Sequence, residues 1–486
     1  MSYSFNTDDS TCDSMSPMKT TTYSNASAPT NPTPVGGPSS RWWGLPLLRR
    51  LRADYLGFVA GLQRQHGDLT RMRLMYEDAW DLMSPAMIRE AMVSQSGQLV
   101  RWERATRIFS QLFGQSVLVT HGDTWQRQRR MLMPAFTARR VGGYAQLMTQ
   151  AACAALDQAV PAGGSSAAVT MDDLWNGATM DVILRTLFSE SVQTDAQAAA
   201  KATQVLMTSA FREMFVPWTL PLWLPTPGNA RKRQALATLR GLVRRHIEAR
   251  WDASGDEPPR DDLLQMLLAA RDDATGDRLS KQEVFDQCMV SFEAGHETSA
   301  TTLLWWSLLL AQHPEAARRA QREVDEVLRG ATPGAEHVDQ LPWLQATLKE
   351  TLRAYPAVSA LMTRRTTAPI TLAGHAVPKG AMLRVTPWVI HHDERWFPQP
   401  DRFMPERFLD DAPHIPKGAW IPFGIGPHVC IGQHFAMLEM TLLAAMLLQR
   451  YTLSLDDDIR ADHTPRLSVT LRPHDPVRLR LTRRTG

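Results

Sequence analysis

A mainly α protein with a small β portion (α+β), folded as a single domain, is the fold class this sequence predicts. Three observations predict it. Apolar residues recur at three- and four-residue steps through most of the chain. Strand-like runs are few and clustered. From about Trp42 onward there is neither a second low-complexity linker nor a repeat of fixed period. The helical stretches are 144–160, 171–188, 197–211, 235–251, 263–270, 281–312, 314–328, 341–355 and 434–449, with Pro314 and Pro356 punctuating two boundaries. The strand signals lie at 361–366, 370–372, 382–386, 451–455 and 477–481. At about 1.5 Å per residue the 281–312 helix would run about 48 Å and cross the whole domain.

Composition narrows the function classes. The 486 residues carry 53 basic and 50 acidic side chains, 44% hydrophobic and 21% charged residues, enough apolar matter for a sizeable core. A net formal charge of +3 argues against a nucleic-acid-binding chain built on a basic stripe. Four scattered cysteines, Cys12, Cys153, Cys288 and Cys430, make no disulfide framework, so a reducing, cytoplasmic setting is expected. No apolar run approaches the roughly 20 residues of a membrane helix, so no transmembrane anchor is expected. Residues 1–41, rich in Ser, Thr, Asn and Pro, read as a disordered leader without the features of a signal peptide, leaving 42–486 as the domain.

The sharpest chemical feature is the run Phe423, Gly424, Ile425, Gly426, Pro427, His428, Val429, Cys430, Ile431, Gly432. Glycines and a proline hold an irregular loop around one thiol, just before an apolar helix. A cysteine at a helix N-terminus sees free N–H groups and the positive end of the dipole, which favour the thiolate that a soft iron ligand requires. An isolated cysteine would instead be read as a small buried hydrophobe.

The spacing F-x-x-G-x-x-x-C-x-G, met at Phe423, Gly426, Cys430 and Gly432, resembles the haem-ligand loop of the cytochrome P-450 family, the haem-thiolate monooxygenases. The resemblance implies that fold, haem b as cofactor and Cys430 as the iron ligand. It places Phe423 against the haem and His428, where the family usually has arginine, at a propionate. Further segments match in the family's order. Glu350 and Arg353 fit E-x-x-R, three residues apart on one helical face, and Arg407 in Pro405-Glu406-Arg407-Phe408 would complete a buried structural triad. Ala294-Gly295-His296-Glu297-Thr298-Ser299 matches the oxygen-activation motif. There Thr298 would supply a hydroxyl and Glu297 an acid, because O–O cleavage consumes two protons, and Gly295 would let oxygen approach the backbone. A purely structural bond from Thr298 to the Ala294 carbonyl is the competing reading. Trp125 and Arg129 fit W-x-x-x-R, two donors for a propionate. Arg364 corresponds to another propionate arginine, with the register open to Arg365.

The implied reaction inserts one oxygen atom from O2 into a lipophilic substrate by hydroxylation or epoxidation. A peroxide-driven peroxygenase and a non-catalytic haem sensor are the alternatives. The proline-broken apolar stretch 214–227 would cover the mouth of the substrate channel, and segments 99–117, 358–361 and 468–470 would wall the pocket. With 54 residues after Gly432 there is no reductase domain, so electrons would come from a separate ferredoxin or flavodoxin with its reductase. A basic patch of Arg127, Arg130, Arg139 and Arg140 would receive that donor.

Overall fold

The computed structural model describes residues 35–484 except 162, 190–192, 217–218, 252–259, 361 and 457–460. The helix Lys281–Gln312 begins and ends where its sequence dictates. Ser280 and Glu283 form a reciprocal capping box at its start, and Pro314 opens the next helix after His313 closes it. It is almost wholly buried from Ser299 to Ala311, so it runs through the core. Its tryptophans are satisfied there: Trp305 Nε1 donates to the Leu471 carbonyl at 2.7 Å and Trp306 Nε1 to Thr347 Oγ1 at 2.9 Å.

The helices that position the site are α1 (Glu103–Phe113), α2 (Gly122–Leu132), α3 (Ala145–Ala159), α4 (Met171–Phe188), α5 (Lys281–Gln312), α6 (Pro342–Ala354) and α7 (Gln433–Arg450). Helix α5 packs against α4, α6 and α7, and α3 bridges α4 and α7. Beside this body lies a five-stranded sheet of β1 (Leu69–Leu74), β2 (Glu77–Leu82), β3 (Leu99–Arg101), β4 (Met362–Thr366) and β5 (Met382–Val385), in the order β1-β2-β5-β4-β3. Strands β2 and β5 run parallel and the other neighbours antiparallel. A second sheet joins Ser166–Thr170, Arg478–Arg483 and Tyr451–Leu455.

The strand signals at 361–366, 370–372, 382–386, 451–455 and 477–481 correspond to observed strands, Leu361 itself lying outside the described residues. The β1–β2 hairpin and β3 were not expected. The hairpin turns on Met75, at φ 60°, and Tyr76, residues that carry no turn signal. The expected leader also needs correction at its end. Arg71 N donates to the Gly36 carbonyl at 3.0 Å and Arg73 N to Ser40 Oγ at 2.9 Å, so 35–40 lie along β1 as part of the fold. Residues 1–34 of that leader lie outside the described residues.

Candidate functional site

A cavity of about 530 Å³ opens between α5, the loop before α7, α2 and the β3–β4 edge of the sheet. Phe423, His428 and Cys430 line it from the loop. Gly426 sits at φ 78°, and a Cβ there would meet the Met92 carbonyl oxygen at 2.1 Å, so the tight approach requires glycine. The Cys430 N–H donates to the Phe423 carbonyl at 2.9 Å and that of Val429 to Gly426 at 3.0 Å, which turns the Cys430 side chain toward the cavity. The sulfur is exposed to the cavity while remote from bulk water. Burial therefore pushes the thiol up, against the Gly432 N–H and the Arg129 charge, which both pull it down. Desolvation thus works against the thiolate that the helix start favours, and a cation bound at the sulfur would favour the ionised form.

Around one end of the cavity stand Arg101, Trp125, Arg129, Arg364 and His428. The Trp125 and His428 rings are 4.0 Å apart, the Arg129 guanidinium lies 5.7 Å from the Trp125 ring, and Arg129 Nη2 donates to the Val429 carbonyl at 3.0 Å. Arg101 Nη1 lies 2.9 Å from His428 Nδ1. A guanidinium only donates, so Nδ1 accepts and the imidazole is neutral. Burial and then Arg101, Arg364 and Arg129 hold His428 down at about 3; burial, Arg364 and Arg129 bring Arg101 down to about 9. None of the three arginines pairs with a carboxylate among the described residues. Such a cluster is an unneutralised site for anionic groups, and the two propionates of a haem above a cysteine fit it.

The strand register separates Arg364 from Arg365. Alternation sends Arg364 to the cavity, opposite Arg101 on β3, whereas Arg365 binds Glu77 at 2.7 Å and Glu103 at 2.9 Å. These acids raise the Arg365 pKa against its burial. Arg101 is the residue sequence reasoning missed. It lies within the expected wall 99–117, yet only pairing with β4, more than 260 residues later, brings it beside Arg364.

On α5, Ala294, Gly295, Thr298, Ser299 and Thr302 line the cavity. The Thr298 hydroxyl donates to the Ala294 carbonyl at 3.1 Å, the bond of the structural reading, while its side chain stands at the cavity wall. A Cβ on Gly295 would meet Ile183 Cδ1 at 2.4 Å, so this glycine also lets α4 approach α5. The Glu297 carboxyl lies beside the cavity wall and is not among its lining residues. Adjacent helical residues point about 100° apart, and Glu297 instead accepts from Thr470 Oγ1 at 2.9 Å and lies 3.8 Å from Arg472 Nε. Burial raises its pKa, opposed by Arg472 and Thr470.

Behind the loop, Glu350 and Arg353 are fully buried and joined by bonds of 2.7 and 2.9 Å, with Arg407 Nε at 3.4 Å. The model of the family Cytochrome P450 matches residues 34–480. The chain belongs to the cytochrome P450 family. It is 33% identical over 441 residues to a cyclooctat-9-en-7-ol 5-monooxygenase of Streptomyces melanosporofaciens, covering 87% of this chain and 93% of the relative. It is also 33% identical over 439 residues to a pentalenene oxygenase of Streptomyces avermitilis, covering 88% and 93%. It is accordingly an oxidoreductase, a haem-dependent P450 monooxygenase that uses O2, a lipophilic substrate and a redox partner.

In this P450 the expected basic patch is largely compensated. Arg127 pairs with Glu283, Arg130 with Asp272 and Arg140 with Asp261; only Arg139 of the four makes no ion pair among the described residues. At the far end of the cavity, Met214, Phe215 and Val216 form a wall with Leu74 and Tyr76. Arg104 ties this segment down by donating to the carbonyls of Glu213, Met214 and Val216. Pro217 and Trp218 of the expected mouth lie outside the described residues. No helix among the described residues is long and apolar enough to cross a membrane.

Proposed function

We propose that this P450 oxidises a cyclic, largely hydrocarbon terpenoid, with Cys430 as haem-iron ligand and Arg101, Trp125, Arg129, Arg364 and His428 holding the propionates. The observation that carries the substrate reading is the mainly apolar lining of the cavity, to which Phe109, Ile183, Leu187, Phe215, Val290 and Ala294 contribute. The names of the two relatives, an oxidised cyclooctatenol and pentalenene, support the same class. Haem held at Cys430 supplies the oxygen activation. The chain excludes water with the apolar wall and orients the substrate by shape. The Thr298 hydroxyl, already donating to Ala294, keeps lone pairs free to accept and pass a proton at the cavity wall. Glu297 reaches the cavity only by leaving Thr470 and Arg472. The donor is a ferredoxin or flavodoxin in the cytoplasm, a setting consistent with three free cysteines.

A reconstituted turnover with purified chain, an acidic ferredoxin, its reductase and pentalenene tests this. Product carrying one atom from O2 is expected, together with a spin-state shift of the ferric Soret band on substrate addition. Because three of the four patch arginines are already paired, added salt should slow reduction only modestly. Thr298→Ala should lower product per electron severalfold and divert oxygen to peroxide, and Glu297→Gln should do so less. Product only with peroxide, or with NADPH and no partner, overturns the donor reading; unchanged coupling in Thr298→Ala returns that hydroxyl to its structural bond.

The propionate reading has its own check. Arg101→Leu or Arg364→Leu should speed haem loss to an acceptor apoprotein by about 10- to 100-fold, the usual range for groups that orient a metal centre. Arg365→Leu should weaken the sheet without this effect. Equal haem retention in all three variants would remove Arg101 and Arg364 from the cofactor site.

A further inference from the structure

We propose that Arg384 on β5 and Tyr55, the first residue of the helix Tyr55–His66, form an anchor in the far wall of the cavity for a neutral oxygen, a hydroxyl or carbonyl, already present on the substrate. The terpenoid skeleton behind that oxygen rests on the substrate reading above; the anchor itself does not. Arg384 and Tyr55 both line the cavity, although they are only 5% and 8% exposed. The Tyr55 ring lies 6.2 Å from that of Phe215 and 6.0 Å from the Arg384 guanidinium, so the pair belongs to the end of the cavity formed by Phe215, away from the Trp125 and His428 rings. Alternation along β5 turns Met382 and Arg384 to the cavity and buries Leu383 on the opposite face.

A guanidinium carries five N–H groups, and a buried one ordinarily spends them on the protein. Arg353 does so: Nε, Nη1 and Nη2 all donate, to Glu350 and to the carbonyls of His391 and Pro400. Arg384 donates only from Nη2, to Asp81 Oδ2 at 2.7 Å and to Met72 Sδ at 3.9 Å. Its Nε is buried without a partner and no described residue accepts from Nη1, so donors are left over where the side chain meets the cavity. Beside them the Tyr55 hydroxyl lies 3.3 Å from Thr386 Oγ1, and burial pushes its pKa up, so the phenol keeps its proton. Charge selects the occupant. Asp81 faces Arg384 in the register of β2 and β5 and, against the burial, raises its pKa, so the guanidinium stays charged and already has its counter-ion. A substrate carboxylate would bring a second negative charge to this matched pair and lose its own hydration. A hydroxyl or carbonyl accepts the spare N–H bonds without that cost. The substrate therefore arrives with one oxygen in place, supplied by an earlier step that ends a cyclisation with water or inserts oxygen. With that oxygen held beside Phe215, the skeleton presents its other end toward Cys430.

The test titrates the haem-loaded protein, by the shift of the ferric Soret band, with abietadiene, abietadienol and abietic acid, and with cyclododecane and cyclododecanol as a pair without a terpenoid skeleton. Each alcohol should bind about 10-fold tighter than its parent hydrocarbon, as a bond from a charged donor ordinarily provides, and abietic acid no tighter than abietadiene. Tyr55→Phe should lower the alcohol's advantage severalfold. The double variant Arg384→Leu with Asp81→Leu, which strands no charge, should abolish it. Asp81→Asn keeps Arg384 and removes its counter-ion, so abietic acid should now bind tighter than abietadiene, a reversal that loosened packing would not produce. Equal affinity of alcohol and hydrocarbon in the wild type, or an advantage unchanged in Tyr55→Phe and the double variant, overturns the anchor. Should the double variant not fold, an unchanged advantage in Tyr55→Phe with no gain for abietic acid in Asp81→Asn does the same. Preference for cyclododecanol over cyclododecane with no response to any abietane sinks the terpenoid reading and supports the anchor; binding of abietadiene and abietadienol alike leaves the terpenoid reading and sinks the anchor.

Discussion

Cys430→Ser is expected to lose the thiolate-type absorption of the ferrous carbonyl complex and to form no measurable product. The change removes one soft donor and little volume, so the loop should persist. Its shape comes from Gly426 against Met92 and from the Cys430 N–H bond to Phe423, neither of which uses the sulfur. What is lost is the electron push of a thiolate, which favours O–O cleavage and which a serine oxygen supplies far less well. No other described thiol can stand in, because Cys153 and Cys288 do not line the cavity and Cys288 is sealed in the core. Absorption and haem content should be read on the same sample. A variant that kept the thiolate-type spectrum would show that iron is held elsewhere.

Which parts of this site could be read from the sequence follows from how local their causes are. The bounds of α5 were legible because Ser280, Glu283 and Pro314 are neighbours of the ends they fix. The Cys430 loop was legible because glycine spacing carries its geometry. The β1–β2 hairpin was not, because its acids are neutralised by partners far along the chain, Glu77 by Arg365 and Asp81 by Arg384. Strands so charged carry no clean apolar alternation. Arg101 shows the same limit at the cofactor end. Where the family usually has arginine in the loop, this chain has His428, and a guanidinium from β3 reaches that point instead. The partners of Glu297 were not legible for the same reason, since Thr470 and Arg472 lie more than 170 residues later in the chain.

Arg353→Ala is expected to be the most damaging change outside the cavity, and Arg318→Ala, at an ion pair of identical i,i+3 spacing, to be nearly silent. Glu350 and Arg353 are both 0% exposed, whereas Arg318 and Glu315 are 54% and 90% exposed. The exposed pair exchanges water for water and should be worth about 0.5 kcal/mol or less. In the buried pair the alanine leaves the Glu350 carboxylate with Arg407 Nε at 3.4 Å and the Met404 N–H at 2.9 Å, and without its main counter-ion. It also strips a donor from the carbonyls of His391 and Pro400, each held at 2.8 Å. Stranding one buried charge ordinarily costs about 3–5 kcal/mol, a large share of the roughly 5–15 kcal/mol by which such proteins are stable. The damage should reach the haem loop, since His391 accepts from the Ile421 N–H at 2.9 Å and Ile421 leads directly into Phe423. Arg353→Lys should recover little, because an ammonium cannot serve Glu350 through two bonds and two carbonyls at once. Denaturant midpoints for the three variants, with haem absorption followed alongside, check this; similar small losses at Arg353 and Arg318 would mean that the triad does not lock the fold.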